Sequence, residues 1–358
     1  MKKTILYLSL AALVLAGCAK SPRKGKNEDS KRYLESWIQV FHPEAVRTNL
    51  GAYVLEDVPG TGASAGTSET NPFVRVNYTV RTLDGTVQGT TDKALAQRLG
   101  TYQKNESKNP YYGPVVWTRG KSGQTAGVEE ALASMKVGGR HTVVIPGWLL
   151  GLNSSSGAPI LYDTAQEYED NVTGSTPLIY EMELAEVIPD MQQWQIDSAG
   201  RYLAANFPGM TAKDSVKLGF YYIQTGAPSS TEAFKSDTTI YINYIGRRLD
   251  GQVFDTSIAD TAKFYGIYSA SRTYGPCSID WYATDENYTA ITMTTPGASS
   301  GSSVISGFSF GLDQMHPHEK GTAVFLSNWG YGANGSSYAI PAYSPLRFDF
   351  EVVDKPAS

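Results

Sequence analysis

The chain has 358 residues, 41% hydrophobic and 18% charged, so it can bury a sizeable core and its length suggests two domains. The formal charge is −5, and no dense basic run occurs beyond "KSPRKGK" at 20–26, which makes nucleic acid a poor partner. Only two cysteines are present, Cys18 and Cys277.

In chain order, the first segment is "MKKTILYLSLAALVLAGCAK", with Lys2 and Lys3 ahead of an apolar run from Ile5 to Ala16. A charged head on so short an apolar core reads as a secretory signal, because a spanning helix needs about 20 apolar residues. Leu15-Ala16-Gly17-Cys18 resembles a bacterial lipobox, which implies cleavage before Cys18 and lipidation of that residue. With Cys18 expected to carry lipid, Cys277 is left without a partner for a disulfide or a cysteine-built metal site. Losing residues 1–17 removes two lysines and no acids, taking the formal charge from −5 to −7. Residues 18–30 are polar and aperiodic and are expected to form a lipid-anchored tether. The expected location is the bacterial cell envelope, at the periplasmic face of the outer membrane or the cell surface, with the membrane reached through lipid on Cys18.

Beyond the tether the chain repeats itself. "SKRYLESWIQVFHPEAVRTNLGAYVLEDVPGTG" at 30–62 parallels "AGRYLAANFPGMTAKDSVKLGFYYIQTGAPSS" at 199–230 in its Arg-Tyr-Leu, its Pro, its Leu-Gly and an aromatic strand ending in a turn. An alternating run follows in each copy: Val74, Val76, Tyr78 and Val80, then Ile240, Ile242 and Tyr244, the pattern of a half-buried strand. Asp84-Gly85 and Asp250-Gly251 come next, and Asp-Gly supplies the positive φ of a tight turn between strands. Val128, Leu132 and Met135 match Phe308, Leu312 and Met315 at spacings of four and three, which lays an apolar stripe on a short helix. Gly138-Gly139 is expected to end the first of these helices. Each copy closes on a further alternation, Leu178 to Leu184 and Leu346 to Val352. One short helix against mostly antiparallel strands indicates an α+β fold repeated in tandem, over 31–190 and 191–358.

The second copy reads "INYIGRRLDGQVFDTS", "VISGFSFGLDQM", "WGYG", "YAIP" and "LRFDFEV". In this order and spacing it resembles FKBP-type peptidyl-prolyl isomerase domains, and the resemblance extends over about 50–188 and 219–353. It implies two tandem FKBP-like domains, each a mostly antiparallel sheet wrapped on one short helix. It also implies a proline pocket built by Tyr244, Phe254, Asp255, Val304, Ile305, Phe308, Tyr331, Ile340 and Phe348. Phe308 stands where the family usually has a Trp floor. A long insertion, about 264–303, replaces a usually short stretch, leaving Ile291 or Met293 as candidates for one more wall. Long loops carry recognition at little cost in stability, so this insertion is expected to be dispensable for folding. The first copy departs further. Gln88 and Gly89 replace Phe-Asp, Gln124 and Thr125 replace Val-Ile, Val128 replaces the aromatic floor and Leu150 the Tyr, while Tyr78 and Tyr180 are kept. Burying the Gln88 amide unpaired would cost on the order of 1–3 kcal/mol.

The function implied is isomerisation of X-Pro bonds by the second domain, assisting exported polypeptides that contain proline, with no metal or cofactor. The alternatives are a catalytically silent FKBP-like module that binds peptides or proteins, and a structural spacer in the envelope. Two other motifs are weaker. Gly307-Phe308-Ser309-Phe310-Gly311 fits the Gly-x-Ser-x-Gly elbow with Asp313, His316 and His318 nearby, but the acid and His of a hydrolase come from distant segments. His316-Pro317-His318-Glu319 offers metal-binding residue types at a spacing that suits a solvated turn better.

Overall fold

The computed structural model describes residues 25–102, 110–210, 214–281 and 291–357. The expected signal segment, Cys18 and most of the tether therefore lie outside the described residues. The tether is shorter than expected at its C-terminal end, because helix α1 (Glu28–Phe41) begins at Glu28. Just before it, the buried Asn27 amide donates to the carbonyls of Glu169 and Val172 at 2.8 and 2.7 Å. Glu169 lies in the last turn of α4 (Ala165–Asn171) and Val172 follows it, so residues from Asn27 onward belong to the first folded unit.

That unit holds β1 (Val46–Arg47), β2 (Tyr53–Val58), β3 (Phe73–Thr82), β4 (Val87–Thr90), α2 (Lys93–Arg98), β5 (Val115–Thr118), α3 (Ala126–Ala133), β6 (Arg140–Ile145) and β7 (Leu178–Ile188). Its strands run in the order β1-β2-β6-β7-β3-β4, with β5 also beside β3. Helix α5 (Met191–Asn206) leads to the second unit. There follow β8 (Phe220–Gly226), β9 (Thr238–Arg248), β10 (Val253–Thr256), α6 (Ala259–Phe264), β11 (Cys277–Trp281), β12 (Thr292–Thr294), β13 (Ser302–Ser303), α7 (Ser306–Asp313), β14 (Lys320–Phe325) and β15 (Leu346–Val353). Their order is β13-β12-β11-β9-β15-β14-β8, with β10 beside β9. Reading β2, β6, β7 and β3 against β8, β14, β15 and β9 gives the same path, and all these pairings are antiparallel. The chain is thus an α+β protein with two domains of the same sheet plan in tandem.

Alternation explains which face each strand buries. In β15, Leu346, Phe348, Phe350 and Val352 are buried while the residues between them are half-exposed. Phe308 and Leu312 of α7 join them in one cluster, with Met315 just past the helix end. On β14, Ala323 and Phe325 face that cluster, whereas Val324 and Leu326 face Ala199 and Leu203 of α5 on the other side. The two Asp-Gly turns are alike: Gly85 at φ +88° and Gly251 at φ +86° each donate their N–H to the carbonyl three residues back, that of Thr82 and of Arg248.

Two expectations are corrected. Helix α3 ends at Ala133, and Gly138-Gly139 instead turns the chain into β6, where a Cβ on Gly139 would lie 2.7 Å from the Gly60 nitrogen. The 264–303 insertion is not a detachable loop. Its strand β11 pairs along β9 from Cys277 to Trp281 and buries Cys277, Ile279 and Trp281, and Ile291 is buried with them.

Candidate functional site

In the second domain, strands β9, β10 and β15, the N-terminus of α7 and the chain after β14 converge on a cavity of about 330 Å³. It is lined by Tyr244, Phe254, Asp255, Met293, Ser303, Val304, Ile305, Phe308, Tyr331 and Phe348. Eight of the nine residues expected from the sequence are therefore brought together. The ninth, Ile340, is not a lining residue. It is buried in the core cluster beside Tyr331 and Phe348, and its backbone pairs with Ser336. Met293, one of two candidates for the extra wall, lines the cavity, whereas Ile291 is buried in the core.

The walls are aromatic edges set against faces. Phe308 meets Phe348 at 5.3 Å and 83°, Phe350 at 4.9 Å and 87°, and Tyr244 at 5.5 Å and 81°. Phe254 stands edge-on to Phe348 at 5.7 Å. Such T-shaped contacts add to burial and hold each ring in one orientation. Room for this packing is provided by Gly246, opposite both Asp255 and Phe348 in the ladder. A Cβ there would fall 2.8 Å from Phe254 Cε2 and Cζ and 2.9 Å from Phe348 Cε1.

The polar side of the cavity is a closed network around one carboxylate. Asp255 Oδ2 accepts from Tyr244 Oη at 2.7 Å, and Oδ1 accepts from Arg272 Nη1 at 2.5 Å and from the Thr256 N–H at 2.8 Å. Arg272 Nη2 also donates to Tyr244 Oη at 3.1 Å, and the guanidinium stacks over Tyr274. Burial, then the charge on Asp255, raises the Tyr244 pKa well above that of a free phenol. Tyr331 is raised for the same two reasons in the same order. Both phenols therefore stay protonated donors at neutral pH. Arg272 lies in the insertion, 17 residues after Asp255, and no sequence spacing pointed to it.

Residues 291–353 match the model of the family described as FKBP-type peptidyl-prolyl cis-trans isomerase. That stretch of the second domain is therefore FKBP-like in sequence. Among solved structures, the chain is similar to the three FKBP domains of wheat FKBP73, at 16% identity over 85% of this chain and 94% of that one, with a TM-score of 0.28. It is also similar to a peptidyl-prolyl cis-trans isomerase from Pseudomonas syringae pv. tomato, at 18% identity over 46% of this chain and 94% of that one, again with a TM-score of 0.28. No curated protein matches the chain.

Set beside the second domain, the first differs at the equivalent positions. Thr91 Oγ1 accepts from the Tyr78 N–H just as Ser257 Oγ accepts from the Tyr244 N–H, which aligns Gln88 with Phe254 and Gly89 with Asp255. Gln88 is exposed, whereas Phe254 is buried, so the amide avoids the burial penalty by pointing to water. The position of Gly246 is taken by Val80, which pairs with Tyr180 and Gly89 as Gly246 does with Phe348 and Asp255. A branched side chain thus stands where the second domain packs the Phe254 and Phe348 rings against a glycine.

Other candidates lack the required geometry. Ser309 is fully buried inside α7 and its hydroxyl has no hydrogen-bond partner among the described residues, so no base activates it as a nucleophile. The Glu319 carboxylate is occupied by Tyr222 Oη at 2.6 Å and by His316 Nδ1 at 2.9 Å. A wide crevice of about 810 Å³ lies in the first domain against Glu56, Asn77, Arg140, Glu181 and Glu183. These residues alternate with the buried ones of β2, β3, β6 and β7, so it is a mostly polar outer face, with Tyr78 and Tyr112 as its aromatic lining.

Proposed function

We propose that the second FKBP-like domain catalyses cis-trans isomerisation of X-Pro bonds, assisting exported polypeptides at the bacterial cell envelope, where lipid on Cys18 holds the chain. The observation that carries this reading is the aromatic slot bordered by two donors without acceptors among the described residues, Tyr331 Oη and the Ile305 N–H. Rotation about an X-Pro bond faces about 18–20 kcal/mol because amide resonance is lost at the twisted state. A pocket accelerates it by binding the twisted amide better than either planar form.

Phe254, Phe308, Phe348, Val304 and Ile305 are suited to enclose the pyrrolidine ring and exclude water. Tyr331 Oη and the Ile305 N–H are placed to hold substrate carbonyls. Asp255 is not a proton carrier in this scheme. Its oxygens are filled by Tyr244, Arg272 and Thr256, so it fixes the Tyr244 ring that forms one wall.

The test is turnover of a Leu-Pro tetrapeptide by the full chain, followed by NMR exchange of its cis and trans signals. Exchange accelerated over the spontaneous rate, and lost on Phe254→Ala, supports the reading. Binding without acceleration would favour instead the silent peptide-binding module, a reading encouraged by the smaller Phe308 floor.

A further inference from the structure

Tyr331, one of the two donors at the cavity, is followed by the 332–345 loop that leads into β15. Two of the four described non-glycine residues with positive φ lie in this loop, Ser337 at +51° and Tyr343 at +58°. An aromatic residue seldom adopts that backbone, so contacts outside the loop must hold it there.

Within the second domain, the Tyr343 N–H donates to the Gly332 carbonyl, next to Tyr331, at 2.8 Å. Further contacts come from the first domain. Phe73 of β3 meets the Tyr343 ring edge-on at 5.3 Å, and Thr118 of β5 lies 3.4 Å from its hydroxyl. The Tyr111 N–H donates to the Tyr338 carbonyl at 2.7 Å. The Tyr111 ring lies 5.2 Å beneath the guanidinium of Arg248, whose Nη1 donates to the Ala339 carbonyl at 2.6 Å. The first domain thus grips the loop at Tyr338 and at Tyr343, on the two sides of Ile340, and its Tyr111 ring backs the Arg248 side chain that holds Ala339.

We propose that the first domain, having lost its own slot, serves as a brace on the 332–345 loop, with Tyr111 as the positioning residue that sets Tyr331 for substrate. This rests on the second domain binding proline peptides as proposed above. It also gives the domain that lacks a slot a role in the same reaction.

The test uses the full chain with Tyr111→Ala and Tyr111→Phe. Two measurements are made: amide hydrogen exchange at Ile340 and Tyr343, and Kd, KM and kcat for a Leu-Pro tetrapeptide. Tyr111→Ala is expected to accelerate exchange at both amides at least fivefold and to raise Kd and KM about threefold to tenfold. kcat should stay within twofold, because a carbonyl held equally in planar and twisted states affects binding more than turnover. Tyr111→Phe keeps the ring over Arg248 and loses only the hydroxyl's bond to the Pro114 carbonyl at 3.0 Å, so exchange at both amides and peptide binding should stay within about twofold of wild type.

Unchanged exchange in Tyr111→Ala would overturn the brace. Faster exchange with unaltered peptide binding would overturn its coupling to the pocket. If wild type itself neither binds nor turns over the peptide, the isomerase reading fails and the coupling fails with it, while the exchange rates still show whether the loop is held.

Discussion

Gly246→Val would place in the second domain the residue that the first domain carries as Val80. The built Cβ alone comes within 2.8 Å of Phe254 and 2.9 Å of Phe348, and these rings are only 8% and 4% exposed, so neither can turn aside freely. Overpacking of this kind costs about 1–3 kcal/mol. If Phe254 swings outward, re-exposing its ring adds up to about 1.5–3 kcal/mol, so relief is partial. At about 2–4 °C per kcal/mol for a domain of this size, melting should fall by roughly 2–12 °C, leaving the domain folded at 10 °C. Displacing a wall by about 1 Å can cost up to about 10²-fold in rate, so kcat/KM on a Leu-Pro peptide should drop roughly 10-fold to 100-fold. Gly246→Ala should fall between wild type and valine. Turnover is measured at 10 °C, with urea unfolding of the same samples to show that they are folded. A folded, destabilised Gly246→Val with turnover within twofold of wild type would refute the claim that this glycine keeps the slot open.

Phe254→Gln with Asp255→Gly should abolish peptide turnover. It should also lower stability by about 1–2 kcal/mol in urea melts, because Arg272 and Tyr244 lose their shared acceptor, although solvent at the 39% exposed Asp255 side chain softens the loss. Burial pushes the Cys277 thiol up to about 11, so the folded state keeps its proton after the unfolded thiol, near 9, has released it. Stability should therefore fall as pH rises from about 9 to about 11, and Cys277→Ala should flatten that slope in urea melts taken across the range. Replacing 264–303 by a short Gly-Ser link should unfold the second domain. Ile279, Trp281 and Ile291 alone contribute about 5–9 kcal/mol of burial, comparable to a typical domain's whole stability, and loss of the near-UV dichroism of that domain is the readout. Cys18→Ser should move the protein from the detergent phase to the aqueous phase or leave it unprocessed, and equal partitioning of both forms would count against lipidation.

Much of the fold is legible along the chain because alternation, helical spacing and Asp-Gly turns are relations among near neighbours. The runs through Val74 and Ile240 and through Leu178 and Leu346 became β3, β9, β7 and β15, and Phe308 and Leu312 took the buried stripe of α7. The aromatic residues of the slot were legible for the same reason, as motifs a few residues long. Reading the insertion as a loop failed where pairing with β9 outweighed its Ser, Thr and Gly content, since a strand is stabilised by its partner as much as by its own residues.

By itself, then, the sequence determined the repeat, the strand faces and the aromatic chemistry of the second domain. Only the tertiary structure decided that Arg272 closes on Asp255, that Ile340 lies in the core while Met293 lines the slot, that Gln88 faces water, and that Tyr111 reaches across to Arg248. Each of these is a distance between segments far apart in the chain. Such distances are set by how close-packed side chains share space, and no local pattern of residues encodes them.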